Sequence, residues 1–230
     1  PKDPAMFTED TEPRRQPPSA VITIFDDASS TRSAMAVALK PPKMMLCGAP
    51  IRAQLLSSGP DSPWEAIHRL HVGAIHSAGK RVWLATPYFV PGEAAMMALT
   101  SAALGGLDVR LLVPKMSDSK LVTYCVRSFF DDLLAAGVKV YEYGPRMLHT
   151  KALLVDDHLA IIGSANFDHR SFRLNFEASL LFDDPTVAAE LAQVIEREFA
   201  AAPRVRDDRA RPLLASRLPE ALARLMAPLL

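Results

Sequence analysis

Cysteine is scarce in this chain of 230 residues: Cys47 and Cys125 are the only two. Two are too few for a disulfide framework or a cysteine-rich zinc site, and they read as reduced, partly buried thiols. No apolar run reaches the roughly 18 residues that a membrane-spanning helix needs, and no apolar stretch follows a basic start in the manner of a signal peptide. An excess of either charge is missing as well. Lys plus Arg number 26 and so do Asp plus Glu, so the basic surplus usual in nucleic-acid binders is absent. Wholesale disorder is excluded by composition, since 49% apolar and 23% charged residues are the proportions of a globular domain.

What is present changes along the chain. Ten of the 19 prolines fall within residues 1–63, so residues 1–50 read as an extended or loosely packed segment with one short strand at 21–25. Gly59-Pro60-Asp61-Ser62-Pro63 is turn chemistry. Beyond it the pattern predicts helices over 64–77, 92–104, 119–136 and 185–200. Strands are predicted at 81–88, 108–113, 138–143, 152–156, 159–163 and 176–182. The alternation of strand and helix defines an α/β domain whose first strands are parallel. The short Asp156-Asp157-His158 turn makes the later strands antiparallel, so the fold class is a mixed β-sheet flanked by helices, an α/β/α sandwich. In the tail, 203–230, Leu214, Leu218, Leu222, Leu225 and Leu229 recur at spacings of three and four. That is an amphipathic helix, expected to pack on the domain or to dock on a lipid surface or a partner chain.

The chemistry concentrates in one stretch. His149 and Lys151 stand two apart at the mouth of a predicted strand, so both side chains project from one face. An imidazole beside an ammonium suits attack on, or protonation of, a phosphate ester whose anionic oxygens the lysine holds. Ser164 and Asn166 are again two apart and offer neutral donors to the same oxygens. Glu177 could orient His149 by accepting its second N–H. Asp156 and Asn175 read as supporting residues. Arg127, Arg170 and Arg173 are candidates for phosphate or fold-holding contacts. Glu65, His68 and His71 lie three apart on one helix, a spacing able to hold a metal, but with no further ligand they read as an ordinary exposed face. Asp131-Asp132 and Asp183-Asp184 read as solvated element ends.

His149-x-Lys151 with Asp156, followed by Gly163-Ser164-x-Asn166, resembles the H-x-K-x4-D and G-S-x-N signature of the phospholipase D superfamily. The runs Thr86-Pro87-Tyr88-Phe89-Val90-Pro91, Arg127-Ser128-Phe129-Phe130 and Ser171-Phe172-Arg173-Leu174-Asn175-Phe176-Glu177 are similar to the second catalytic half of bacterial cardiolipin synthases. The likeness covers roughly residues 51–202. It implies a lobe of that fold and a phosphodiester exchange needing no metal and no cofactor. One histidine forms a phosphohistidine, a second protonates the leaving alcohol, and an incoming alcohol takes the phosphatidyl group. Phosphatidylglycerol is the implied donor and acceptor. With water as acceptor the same site would be a phospholipase or a nuclease.

Such enzymes carry two H-x-K motifs. His68, His71, His76, His158 and His169 are followed two positions on by Leu70, Gly73, Ala78, Ala160 and Ser171, so this chain holds one motif. The second half-site is expected from a missing N-terminal lobe, along with the membrane-spanning helices of that part, or from a homodimer mate. The implied setting is the bacterial inner membrane surface, with phospholipid rather than nucleic acid as partner. A catalytically silent half-domain is the remaining alternative.

Overall fold

Long apolar runs rich in β-branched residues determine the centre of the structure, a computed structural model that describes residues 43–46, 49–62, 64–144, 146–209 and 211–229. The expected strand at 21–25 and Cys47 lie outside the described residues. The strands are β1 (Lys43–Leu46), β2 (Ala49–Ser58), β3 (Arg81–Ala85), β4 (Phe89–Val90), β5 (Asp108–Pro114), β6 (Lys139–Tyr143), β7 (Ala152–Val155), β8 (Leu159–Gly163), β9 (Phe167–Asp168) and β10 (Glu177–Asp183). Eight of them form one sheet in the order β1-β2-β10-β8-β7-β3-β5-β6. β3, β5 and β6 run parallel, while β7, β8, β10, β2 and β1 pair antiparallel, so the sheet is mixed as the sequence predicts.

The helices are α1 (Ala66–His76), α2 (Glu93–Leu104), α3 (Lys120–Ser128), α4 (Phe130–Ala135), α5 (His169–Arg173) and α6 (Pro185–Ala201). Alternation along the central strands feeds two cores. Val82, Leu84, Leu111, Val113, Leu153 and Val155 face α1 to α4. Trp83, Ala85, Leu112, Ala152 and Leu154 face Ala188, Ala192, Ile195 and Phe199 of α6. This is the expected α/β/α sandwich.

Several elements depart from the sequence reading. The strand predicted over 81–88 stops at Ala85, because Pro87 has no N–H to donate and restricts the residue before it. Thr86 instead accepts from the Phe167 amide at 3.1 Å and donates to the Tyr88 carbonyl at 2.8 Å. The chain resumes as β4, which pairs with β9 in a separate two-stranded ladder. The helix predicted over 119–136 is split at Phe129, whose amide bonds back three residues to Val126, and both Phe129 and Phe130 become buried. Finally, residues 43–46 and 49–58, read up to residue 50 as an extended or loosely packed segment, form β1 and β2; β2 pairs with β10 from Ala53 to Ser58 and carries β1 on its outer edge.

The arginine and aspartate expectations resolve mainly into fold contacts. Arg127 pairs with Glu142 at 2.8 Å, and Asp184 caps α6 by accepting from Thr186 and Val187. Asp131 and Asp132 are not merely solvated, because they pair with Arg209 and Arg224 of the tail at 3.0 Å. Cys125 is buried and free, and burial pushes its thiol up to about 11.

His71 corrects the reading of α1 as an ordinary exposed face. It is buried, bonded through Nδ1 to the Ile67 carbonyl at 2.8 Å, and packed against Phe167 and Phe172. Burial pushes its imidazole down from 6.5 to about 4. The unfolded chain therefore takes up a proton between those values that the folded state refuses. Stability is unaffected by this group above pH 6.5 and falls on acidification, by about 3 kcal/mol at pH 4. His71→Leu should flatten that slope, which urea midpoints at neutral and mildly acidic pH would measure.

Candidate active site

The neighbouring ends of β7, β8 and β10 bring the single motif together. His149 and Lys151 lie just before β7, and Lys151 Nζ stands 3.2 Å from His149 Nε2 while donating to the His149 carbonyl at 3.3 Å. At the end of β8 the Gly163 amide donates to the Lys151 carbonyl at 3.2 Å, which lays the following Ser164 beside the pair. Ser164 then joins β10. Its amide donates to the Ala178 carbonyl at 2.9 Å, its oxygen accepts from the Ala178 amide at 3.0 Å, and its hydroxyl donates to Glu177 Oε2 in a short hydrogen bond. The other oxygen of Glu177 accepts from Asn175 Nδ2 at 3.2 Å.

The expected hydrogen bond from His149 to Glu177 is not formed. The Glu177 carboxylate is occupied by Ser164 and Asn175, and the imidazole has Lys151 as its neighbour. Asn166 follows Ser164 into the same region, its amide donating to Ser171 Oγ at 3.1 Å. Asp168 caps the short helix α5 by accepting from the Ser171 amide at 2.7 Å. Burial lowers the Lys151 pKa, against the pull of the Glu177 and Asp168 carboxylates. Burial raises the Asp168 carboxyl despite the Ser171 donation.

Two predicted site residues stand apart. Arg173 pairs with Glu65 at 2.9 Å, and Glu65 also binds His68 Nδ1 at 2.8 Å. Asp156 sits at the far end of β7 from Lys151, in the left-handed region at φ 53°. Its carboxylate accepts from the amides of Gly79, Lys80 and Arg81 at 2.7–3.0 Å, a structural cap on two chain reversals. Asp156→Ala should cost about 2 kcal/mol of stability, since a side chain without an acceptor orphans three donors. Asp156→Asn, which tolerates the same φ, should cost less; equal losses in urea unfolding would contradict the capping role.

The sequence reading missed a cleft of about 330 Å3 that shares Asn166 and Asn175 with the site. Tyr88, Asp118, Ser119 and Arg170 bring polar groups to it, and Tyr88 donates its hydroxyl to Asp118 Oδ2 at 2.6 Å. Tyr88 lies within the Thr86–Pro91 run, but nothing local marks Asp118. Exposed apolar side chains flank this region: Leu174 and Phe176 on either side of Asn175 are 61% and 76% exposed. Among the described residues no group of three or more His, Cys, Asp or Glu is placed to hold a metal ion.

A sandwich lobe with His149 and Lys151 before β7, Ser164 just after the adjacent β8 and Glu177 at the start of β10 beyond it is a phospholipase D-like lobe. The family model described as "Cardiolipin synthase, PLD-like domain" matches residues 72–201, and the chain belongs to that family. It is 46% identical over 178 residues to a cardiolipin synthase of Geobacillus sp. (strain WCH70), covering 77% of this chain and 36% of that protein. Cardiolipin synthase A of Pseudomonas fluorescens (strain SBW25) is 42% identical over 181 residues, 78% of this chain and 38% of the relative. The chain thus spans little more than a third of the length of the curated relatives it matches. Among solved structures it is similar in fold to the phospholipase D family member NUC from Salmonella typhimurium. There the TM-score is 0.58 at 19% identity, over 68% of this chain and 99% of that one. It is similar also to phosphatidylserine synthase of Haemophilus influenzae Rd KW20, with a TM-score of 0.60 at 18% identity, over 78% and 48% of the two chains.

Proposed function

We propose that this chain supplies one half-site of a cardiolipin synthase-type phosphatidyltransferase. The carrying observation is the His149–Lys151 pair joined to Ser164 at adjoining strand ends, in a chain 46% identical to a cardiolipin synthase. His149 serves either as the nucleophile on phosphorus or as the acid that protonates the leaving oxygen. Lys151, Ser164 and Asn166 bind the phosphoryl oxygens, where a charged and preorganised donor set stabilises the crowded phosphorus. Glu177, with Asn175 behind it, positions the Ser164 hydroxyl. A second H-x-K pair, from an upstream lobe or a second copy, completes the reaction.

In the first step the nucleophilic histidine forms a P–N bond as the P–O bond to glycerol breaks, and the acid histidine protonates the departing glycerol. In the second, the hydroxyl of another phosphatidylglycerol attacks phosphorus as the P–N bond breaks and frees the nucleophilic histidine, and the histidine that served as acid takes the hydroxyl proton. The cleft beside Asn166 and Asn175 seats the alcohol. Its facing Asp118 and Arg170 suit a neutral polyol better than a headgroup of one sign. The exposed Leu174 and Phe176 beside the site favour lipid over nucleic acid, as does the zero net charge. The protein works at a membrane surface, the bacterial inner membrane in this reading, although no helix among the described residues is long and apolar enough to cross a bilayer.

The test is product analysis on phosphatidylglycerol vesicles, with both half-sites present. Cardiolipin and free glycerol should appear in equal amounts, and a chelator should leave the rate unchanged. Cleavage of DNA without lipid turnover would replace the reading by the nuclease alternative. Light scattering over a concentration series separates the two sources of the second half-site: a dimer of this chain should turn over lipid alone, and a monomer should be inert.

A further inference from the structure

Glu65 holds a backbone conformation that its side chain disfavours. It stands at φ 46° and ψ 53°, in the left-handed region, one residue before α1. Glycine enters that region freely and asparagine readily, whereas a glutamate there is uncommon. The side chain does nothing for its own helix end either, since it makes no capping hydrogen bond. Its carboxylate is directed instead at α5. Oε1 accepts from Arg173 Nε at 2.9 Å. Oε2 accepts from His68 Nδ1 at 2.8 Å, and the His68 ring stacks on Phe172 with centroids 4.7 Å apart. His68 Nε2 is buried without a partner, so the bond to Glu65 and the stack on Phe172 are what hold the ring. Backbone strain of this kind persists only where its surroundings over-determine it, and it clusters at functional sites.

The helix that Glu65 grips is short. α5 has five residues, too few to stand without tertiary contacts. Phe172 fixes it from one side, buried among His68, His71 and Phe167, and the Arg173–Glu65 pair fixes its end. α5 in turn holds both arms of the phosphoryl site. Before it, the Asn166 amide donates to Ser171 Oγ at 3.1 Å. Asn166 Oδ1 is buried with no partner, so that backbone bond sets where the carbonyl end of the side chain stands. After it, the Asn175 amide donates to the Arg170 carbonyl at 2.9 Å, and Asn175 Nδ2 reaches Glu177, which holds Ser164. We propose that Glu65, together with His68, is a positioning residue for phosphoryl transfer. It fixes α5, and α5 sets the separation between Asn166 and the arm of Asn175, Glu177 and Ser164. The inference rests on the phosphoryl-binding role proposed above. Glu65 acts through Arg173, His68 and Phe172, not on the phosphorus itself.

The experiment pairs steady-state rates on phosphatidylglycerol vesicles, with both half-sites present, with amide magnetic-resonance spectra of this chain. Glu65→Gly should keep Tm within about 3 °C of wild type, because relief of the left-handed backbone offsets the loss of a half-exposed ion pair. Its kcat should nevertheless fall about tenfold with KM within about twofold, since the displaced donors act most strongly on the transition state. Glu65→Gln keeps an acceptor oxygen and should recover kcat to within about threefold of wild type. In the glycine variant the Asn166 and Asn175 amide signals should shift, while those of β3 and β5 stay in place. The spectra need no turnover. A wild type inert on phosphatidylglycerol would remove the reaction proposed above and leave the spectra to decide the role of Glu65. That role is overturned if Glu65→Gly keeps kcat within about twofold of wild type, or if the Asn166 and Asn175 signals do not move.

Discussion

His149→Ala is expected to lower turnover of phosphatidylglycerol by about 100- to 10,000-fold if the imidazole is the general acid, and by more if it is the nucleophile. The two roles separate on a substrate with an activated leaving group. A nitrophenolate departs without a proton, so loss of an acid would be largely rescued there, whereas loss of a nucleophile would not. Lys151→Met should be comparably severe on both substrates, because the ammonium 3.2 Å from the imidazole is the only full positive charge described within this hydrogen-bonded group. Burial lowers the Lys151 pKa, so its deprotonation should cut the rate on the alkaline side, at a pH below where an ordinary lysine titrates. Activity within about tenfold of wild type for either variant would sink the site assignment.

How far the sequence carries depends on whether a feature is local. β5 and β7 are legible because strands buried on both faces read as apolar runs, and Leu111–Val113 within β5 and Ala152–Val155 are such runs. β2 is not, since Pro50 stands at its second position and Leu55-Leu56 breaks the alternation that Ile51-Arg52-Ala53-Gln54 begins; its pairing with β1 and β10 makes it a strand. The His149–Lys151 and Ser164–Asn166 spacings are legible for the same local reason. The partner of Glu177 is not, because it depends on how β8 and β10 meet in space, and there Ser164 takes the carboxylate that spacing alone assigned to His149. The tail shows the limit most sharply. Its leucine period correctly announces a helix, but which face turns inward is decided by Arg209, Arg211 and Arg224 finding Glu220, Asp131 and Asp132.

Gly163→Ala tests whether this cross-strand meeting, more than any one side chain, holds the half-site. Gly163 pairs with Ser179 of β10 and donates to the Lys151 carbonyl, so it touches all three strand ends at once. A β-carbon there would run into Ser179 Oγ and come within 2.5 Å of the Ala178 carbonyl oxygen and 2.8 Å of Ser179 Cα. Two of those three atoms are backbone, so no rotamer change relieves the clash, and trimming Ser179 to glycine would leave most of it. β8 and β10 must move apart, and Ser164 and Glu177 move with them. Overpacking of this kind costs about 1–3 kcal/mol of stability. The larger effect should be on turnover, because a displacement of about 1 Å between reacting and binding groups can cost about 100-fold. Thermal unfolding and steady-state rates on one preparation separate the two. A folded Gly163→Ala protein with near wild-type turnover would mean that the strand ends tolerate separation, and that Ser164 and Glu177 do not need the register seen here.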